Sequence, residues 1–184
     1  MTIRVGCSSA LVGIHLAREA IPRGDCDGAI VGGTNLIMSP FSTMAMIEHG
    51  ALSPNGSTRS FDANADGYAL AEAINAIYIK KLDAAIQDGN PIRAVIRATS
   101  SNSDGKTPGL SNPSSEAHEA LMRKAYMTAG ICDYSQTAMV ECHGTGTPVG
   151  DPSEANAVAR VLAKREFLLD QLNPTSGTLK EPLA

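Results

Sequence analysis

The sequence lacks the features that mark membrane, secreted and nucleic-acid-binding proteins. No apolar run approaches the length needed to span a bilayer. Residues 1–20 do not have the basic start and apolar core of a signal peptide. The net charge of −4 is mild, and no run of basic residues offers a surface for nucleic acid or anionic lipid. These absences predict a cytoplasmic protein that binds neither nucleic acid nor membranes.

The sequence also lacks a recognisable metal or nucleotide motif. Its four cysteines are widely spaced and contain no CxxC pair, which argues against a zinc site and a disulfide framework. Residues 62–67 resemble the start of a calcium loop, but the twelfth position, which requires a bidentate glutamate, is Ala73. The glycines of residues 144–150 lack the Gly-Lys-Ser/Thr ending of a phosphate-binding loop. We therefore predict no bound metal and no nucleotide.

One glycine-rich segment carries the strongest sign of chemistry. Residues 138–140 form a short apolar stretch, as a buried strand does, and His143 follows them into a turn. The turn contains two glycines and two threonines: Gly144, Thr145, Gly146 and Thr147. Glycine lets a backbone turn sharply and approach a ligand closely, and each threonine hydroxyl is both a donor and an acceptor. This arrangement predicts a site that binds a polar group and holds or moves a proton near neutral pH.

Cys7 is the candidate nucleophile. It follows a strand-like stretch at residues 2–5 and precedes a predicted helix over residues 8–20. A thiol at a helix N-terminus lies in the positive potential of the helix dipole, which favours the thiolate. A nucleophile at a strand-to-helix turn, together with a distant histidine, is a common arrangement for covalent acyl transfer. Taken alone, Cys7 could also be a small buried hydrophobic residue, which is the usual state of a cysteine outside a disulfide.

The remaining cysteines and histidines are interpreted as structural. Cys142 precedes His143, but successive residues of a strand point to opposite faces, so only one of the two can face a site. The others have no partner motif around them: Cys26, Cys132, His15, His49 and His118.

Five segments form an ordered series along the chain. They are residues 6–9, 24–35, 60–68, 88–97 and 141–154. In this order they resemble the ketosynthase (beta-ketoacyl synthase) domain of fungal-type iterative polyketide synthases. The resemblance implies an internal fragment, because members of the family carry about as much chain again before the cysteine. It also implies that a lysine and a second histidine of the family lie beyond the present C-terminus.

The resemblance implies an acyltransferase that forms carbon–carbon bonds by decarboxylative Claisen condensation. It assigns catalysis to Cys7 and His143, and contact with the phosphopantetheine arm to Thr145 and Thr147. Four further residues would brace the turn and the next helix beside the site: Gly144, Gly146, Asp151 and Glu154. No cofactor would bind directly, since the acyl and malonyl groups arrive on phosphopantetheine. The implied partners are acyl carrier protein and acyltransferase domains, with a second copy in a homodimer.

The sequence alternates between predicted strands and helices, which indicates an α/β protein with a layered sheet. The resemblance makes this an incomplete thiolase-like αβαβα fold. Residues 1–90 would end the N-terminal half, with the nucleophile, and residues 91–184 would form the C-terminal half, with the histidine motif. Further helices are predicted at residues 40–49, 82–87, 114–129 and 153–169. Strands are predicted at residues 29–31, 73–79, 92–99 and 139–142, and a loose surface segment at 173–177.

Three other functions fit parts of the sequence. A fatty-acid beta-ketoacyl synthase would share the motifs. A catalytically incomplete remnant, or a fragment that only binds partners, would fit the absent second histidine. The chain also departs from the family pattern at Val5, Leu70 and Ala71. An unrelated Cys–His hydrolase is disfavoured, because its third orienting group and its local signatures are not recognisable.

Overall fold

The computed structural model describes residues 1–109 and 111–162, which form two compact units. The first unit comprises Met1–Ile37 and Ala71–Ser101, and the second comprises Met38–Leu70 and the described residues from 102 onward. The helices are α1 (Ser9–Arg23), α2 (Pro40–Glu48), α3 (Leu82–Gln87), α4 (Ser115–Thr128) and α5 (Gly150–Leu162). The strands are β1 (Gly28–Asn35) and β2 (Ala73–Lys80), and a 3-10 turn spans Tyr134–Gln136.

An antiparallel pair of strands is the centre of the first unit. β1 and β2 pair along their whole lengths, with Val31 opposite Ile77. α1 packs closely on β1 at Gly13. A Cβ added to this glycine would lie only 2.9 Å from Val31 Cγ1. Ala17 and Ile21 of α1 are buried, and burial of an isoleucine side chain stabilises a fold by about 1.5–3 kcal/mol. The helix and both strands were predicted, and the structure confirms them.

The face of the β1–β2 sheet opposite α1 is apolar and uncovered. Ile30, Ile74 and Tyr78 alternate with the residues that face α1, and they are 77%, 73% and 64% exposed. Successive strand residues point to opposite faces, so these three side chains share one surface. The first unit therefore buries only one face of its sheet within the described chain.

α1 ends three residues later than predicted. Its last residue is Arg23, and Gly24 follows with φ of +81°. The Gly24 N–H donates to the carbonyl groups of Ala20 and Ile21, which is the usual way that a left-handed glycine closes a helix. The sequence signal for this end was Gly24 itself.

The second unit is built on the packing of α4 against α5. Val158, Val161 and Leu162 of α5 are its buried core cluster, and Met122 and Tyr126 of α4 pack against them. The N-cap of α4 is Ser114, whose hydroxyl accepts a hydrogen bond from Ala117 N at 3.1 Å.

Two predicted strands are wrong for the described chain. Residues 92–99 form no strand in this part of the chain, and their apolar side chains Ile92, Val95 and Ile96 stay exposed. Residues 139–142 contain only a single bridge residue, Val140. Both segments carry β-forming residues, but strand propensity takes effect only where a neighbouring edge supplies backbone partners. The strand-like residues 2–5 likewise provide only an isolated bridge, between Val5 and Cys7.

α5 begins earlier than predicted, at Gly150. The Thr147 hydroxyl accepts from Gly150 N at 3.2 Å, and the Thr147 carbonyl accepts from Asp151 N at 3.2 Å. The threonine thereby caps the helix, and Pro152 lies in its first turn. The predicted end of this helix near residue 169 and the loose segment at 173–177 lie outside the described residues. No helix of the described chain is both long and apolar enough to cross a membrane.

Candidate active site

Cys7 is exposed in the turn that leads into α1. Gly6 before it has φ of +75°, a conformation that a residue with a side chain rarely adopts. The Ser9 hydroxyl donates to Gly6 O at 2.7 Å and accepts from Val5 N at 3.0 Å. These bonds fold the chain back on itself around the thiol. The structure thus places Cys7 in an accessible turn directly before α1, but the strand predicted ahead of it is only an isolated bridge.

His143 lies on the second unit, in a turn whose backbone is held by Glu154. The carboxylate of Glu154 accepts from His143 N at 2.7 Å and from Gly144 N at 2.8 Å. Gly144 has φ of +52° and Gly146 has φ of +71°, so both glycines adopt the left-handed conformation that the turn requires. A carboxylate that accepts two backbone N–H groups makes charge-assisted bonds, which are stronger than neutral ones. The position of the histidine backbone is therefore fixed from α5.

Asp151 is a second carboxylate on α5, and it joins the histidine turn to a distant segment. It is only 4% exposed. One oxygen accepts from Gly146 N at 3.0 Å, and the other accepts from Phe61 N at 2.6 Å. A buried carboxylate is tolerated when hydrogen bonds compensate its lost hydration. Asp151 therefore requires both amides in order to stay buried.

Phe61 adopts an unusual backbone conformation at this contact. Its φ is +57°. Within residues 1–109 and 111–162, no other residue except glycine has a positive φ. The left-handed region costs a residue with a side chain about 1–2 kcal/mol. Such strain persists only where the surrounding contacts determine the conformation.

Further contacts attach residues 59–67, here called the Phe61 loop, to the histidine turn. The Ser60 hydroxyl donates to the Gly144 carbonyl, and Gly67 N donates to Gly146 O at 2.9 Å. A Cβ on Gly146 would lie 3.0 Å from Arg59 N. The turn and the Phe61 loop therefore approach each other at backbone distance.

The Asp and Asn residues of the Phe61 loop are used within the loop. Asp62 Oδ1 accepts from Asn64 N at 2.9 Å, and Asp66 Oδ2 accepts from Asn55 Nδ2 at 3.3 Å. In the described chain, no group of three or more His, Cys, Asp or Glu side chains could hold a metal ion. The side chains of Asp62 and Asp66 thus hold the backbone of the loop and its neighbouring segment.

Thr145 and Thr147 lie side by side in the histidine turn. Their hydroxyl oxygens are 3.0 Å apart, and Thr147 also accepts from Gly150 N. Two hydroxyls supply two protons, and one of these is used between them. The second proton can be donated to an acceptor on a ligand.

Cys142 differs from Cys7 in its surroundings. It packs against the core cluster of α5, whereas His143 next to it is exposed. Burial raises the pKa of the Cys142 thiol to about 11, and the charges of Glu154 and Asp151 add to the rise. A thiol of that pKa stays protonated near neutral pH, so Cys142 does not serve as a nucleophile there.

The structure brings together most of the predicted site residues. His143, the two glycines, the two threonines, Asp151 and Glu154 form one hydrogen-bonded turn in the second unit, and Cys7 lies in the first unit. The catalytic roles of Cys7 and His143 remain predictions. The contacts of Ser60 and Phe61 with this turn were not predicted. Phe61 contributes a backbone amide, which any residue type other than proline could supply. The only signal in the sequence was that their segment belongs to the ordered series of motifs.

Family comparisons cover most of the chain. Residues 1–85 match the N-terminal domain of beta-ketoacyl synthase, and residues 93–173 match the C-terminal domain. The chain is 60% identical over 177 residues to the highly reducing polyketide synthase sphB of Aspergillus fumigatus. This alignment covers 96% of this chain and 7% of that protein. It is 62% identical over 179 residues to the highly reducing polyketide synthase FUM1 of Gibberella moniliformis, again covering 96% of this chain and 7% of the relative. These relatives do not favour the fatty-acid, remnant or hydrolase alternatives.

Solved structures support the same relationship. The chain superposes on a ketosynthase from module 6 of the bacillaene synthase of Bacillus subtilis with a TM-score of 0.82 and 42% identity, covering 86% of this chain and 28% of that one. An oxazolomycin ketosynthase domain of Streptomyces albus gives a TM-score of 0.82 at 38% identity, covering 86% of this chain and 28% of that one. The described units thus have the thiolase-like fold of ketosynthases, although the chain spans less than a third of these domains. The chain belongs to the beta-ketoacyl synthase family.

Proposed function

We propose that this chain supplies the nucleophile and one histidine of a ketosynthase that extends a polyketide by decarboxylative condensation. The observation that carries the proposal is the histidine turn, whose backbone is fixed by two carboxylates while the histidine stays exposed. The exposed Cys7 at the start of α1 supports it. The similarity to polyketide synthases supports the choice of substrate class.

The first step loads the acyl chain. The Cys7 thiolate attacks the carbonyl carbon of an acyl thioester carried on phosphopantetheine. The tetrahedral intermediate collapses and expels the pantetheine thiolate, which takes up a proton. Backbone N–H groups at the start of α1, including that of Cys7, would stabilise the oxyanion. The result is an acyl thioester on Cys7.

The second step forms the carbon–carbon bond. A malonyl thioester loses carbon dioxide, and the electron pair of the broken bond remains as an enolate. His143 would donate a hydrogen bond to the enolate oxygen, together with the second histidine of the family, which this sequence does not contain. The enolate carbon then attacks the acyl carbonyl, and the Cys7 thiolate leaves. Because Glu154 holds the His143 and Gly144 amides, the imidazole starts from a fixed backbone position.

The threonine pair would bind the arm that carries the substrate. The amide groups of phosphopantetheine offer carbonyl acceptors, and the remaining hydroxyl proton of Thr145 or Thr147 suits such an acceptor. The chain itself would bind no cofactor, since its substrates arrive on the arm of an acyl carrier protein. The proposal also includes an acyltransferase domain as a partner, assembly as a homodimer and a location in the cytoplasm.

The test uses a complete ketosynthase, because one face of the β1–β2 sheet is uncovered in the described part of the chain. We define a hybrid synthase as the Aspergillus fumigatus relative in which the 177 aligned residues are replaced by those of this chain. Acyl loading and condensation are then measured separately by mass spectrometry of the protein and of the product. We expect the hybrid to perform both steps. A folded hybrid that performs neither would contradict the proposed function.

Two substitutions separate the roles within the hybrid. Cys7→Ala should abolish loading, whereas His143→Ala should reduce condensation by more than about 100-fold and leave loading nearly unchanged. His118→Ala on α4 is the matched control and should change neither step. Loading that survives Cys7→Ala would refute the role of Cys7, and equal losses of both steps in His143→Ala would refute the separate role of His143.

A further inference from the structure

Phe61 is a residue in an unfavourable conformation that no catalytic step described above uses. Its backbone is left-handed at φ of +57°, and its side chain is half-buried. Strained residues outside glycine concentrate at functional sites, where the surrounding structure over-determines them. Two contacts of Phe61 lead to the histidine turn, one through Asp151 and one through Gly144.

The amide of Phe61 is tied to that turn through Asp151. The 2.6 Å bond from Phe61 N to Asp151 Oδ2 joins residues that are 90 apart in sequence. The other oxygen of the same carboxylate binds Gly146 N. Because Asp151 is buried, neither amide can be replaced by water without rearrangement. The left-handed backbone of Phe61 is therefore part of the arrangement that places Gly146.

The ring of Phe61 and the hydroxyl of Ser60 lie against Gly144, the residue after His143. A Cβ built on Gly144 would be 3.3 Å from Phe61 Cε2 and 3.3 Å from Ser60 Oγ. Ser60 also donates to the Gly144 carbonyl. Gly144 is thus enclosed by Phe61 and Ser60 on one side, while Glu154 holds its amide. A change at Phe61 or Ser60 therefore alters the space that Gly144 can occupy.

We propose that Phe61 is a positioning residue for His143. It holds the backbone of the histidine turn in the position that condensation requires, and it touches no substrate. This inference rests on the proposed function of His143. Catalytic hydrogen bonds require placement to within roughly 0.5 Å, and side chains that pack against the site secure that placement. Displacement by about 1 Å from a change outside the chemistry can cost about 100-fold in rate.

The test compares substitutions of Phe61 in the hybrid synthase. Phe61→Ala removes the ring from Gly144 and keeps the amide that binds Asp151. We expect its condensation kcat to fall about 10-fold to 100-fold, with KM for the malonyl thioester and the rate of Cys7 loading changed by less than about 2-fold. Phe61→Tyr keeps the ring and should restore kcat to within about 3-fold of the unsubstituted hybrid. Ser57→Ala, which changes a residue of the preceding segment, is the control and should leave kcat unchanged.

A second measurement reports the position of the turn without relying on activity. Hydrogen exchange of the peptide that contains residues 143–147 should become at least about 10-fold faster in Phe61→Ala, while peptides from α1 keep their rates. Ser60→Ala should show the same local change to a smaller extent, and it serves as the readout if Phe61→Ala does not fold.

The outcomes separate the two proposals. If the unsubstituted hybrid condenses and Phe61→Ala lowers neither kcat nor the protection of residues 143–147, the positioning role is overturned and the proposed function stands. Equal losses of loading and condensation in Phe61→Ala would also overturn it, because they indicate a general structural role. If the unsubstituted hybrid does not condense, the proposed function fails, and the exchange measurement still decides whether Phe61 holds the turn.

Discussion

The two regions that carry the predicted chemistry are held in different ways. Around Cys7, the side-chain hydrogen bonds of Ser8 and Ser9 reach residues only three or four positions away. Around His143, the bonds from Ser60 to Gly144 and from Phe61 to Asp151 join residues 84 and 90 positions apart. The serine bonds at the nucleophile turn are therefore local, whereas the histidine turn is held by segments that are distant in sequence.

This difference predicts how far the effect of a substitution should extend in each region. A change near Cys7 should alter one turn and leave the rest of its unit intact. A change at Asp151 or Glu154 should release a turn and, through it, a second segment of chain. The following predictions test this contrast, beginning with the largest effect.

Asp151→Ala should give the largest loss. It removes the acceptor of two amides, Phe61 N and Gly146 N, at a site that is 4% exposed. Buried donors left without a partner cost about 1–3 kcal/mol each, so we expect the free energy of unfolding of the ketosynthase domain of the hybrid to fall by about 2–4 kcal/mol. Chemical denaturation followed by circular dichroism measures this value.

The control for that experiment is Asp83→Ala, which removes an exposed carboxylate from the first turn of α3. It should cost less than about 1 kcal/mol, the scale of an exposed helix-dipole interaction. Equal losses in the two variants would show that the histidine turn is not held by the buried carboxylate.

Glu154→Gln should give an intermediate loss and change a second property. The glutamine keeps only one acceptor oxygen for the amides of His143 and Gly144, so we expect a cost of about 1–2 kcal/mol. Burial is the main reason that the pKa of Cys142 lies at about 11, and the charge of Glu154 is the next contribution. Removing that charge should lower the pKa of Cys142, so its alkylation by iodoacetamide should set in at a lower pH. Mass spectrometry of the Cys142 peptide across a pH series measures the shift.

Glu141→Gln is the matched control for this shift. Glu141 is the exposed neighbour of Cys142 on the other side from His143, and its charge does not contribute to the raised pKa of Cys142. The alkylation profile should stay in place. An unchanged profile in Glu154→Gln would contradict the proximity of that carboxylate to the thiol.

Ser9→Ala should give the smallest effect, because it breaks only local bonds. It removes the hydroxyl that binds Gly6 O and Val5 N, and a hydrogen bond of this kind contributes about 0.5–1.5 kcal/mol. We expect acyl loading to slow by a few-fold at most and condensation from preloaded enzyme to stay unchanged. A loss as large as that of Asp151→Ala would remove the contrast between the two regions.

The same contrast explains what the sequence could predict. The helices α1, α3 and α4 depend on residues within a few positions of each other, and all three were predicted. The contact of Phe61 with Asp151 joins a backbone amide to a carboxylate 90 residues away, and backbone amides leave no mark in a sequence. The strand predicted at residues 92–99 failed for a related reason, since a strand needs an edge that its own residues do not supply.

The most direct test of the account asks whether the histidine turn serves condensation and not loading. In the hybrid with Asp151→Asn, one of the two acceptor oxygens that hold Phe61 N and Gly146 N is lost. Loading of Cys7 and condensation from preloaded enzyme would be measured separately by mass spectrometry. The account predicts that condensation falls by at least about 10-fold while loading changes by less than about 2-fold. A folded Asp151→Asn hybrid that loses both steps equally, or neither, would contradict it.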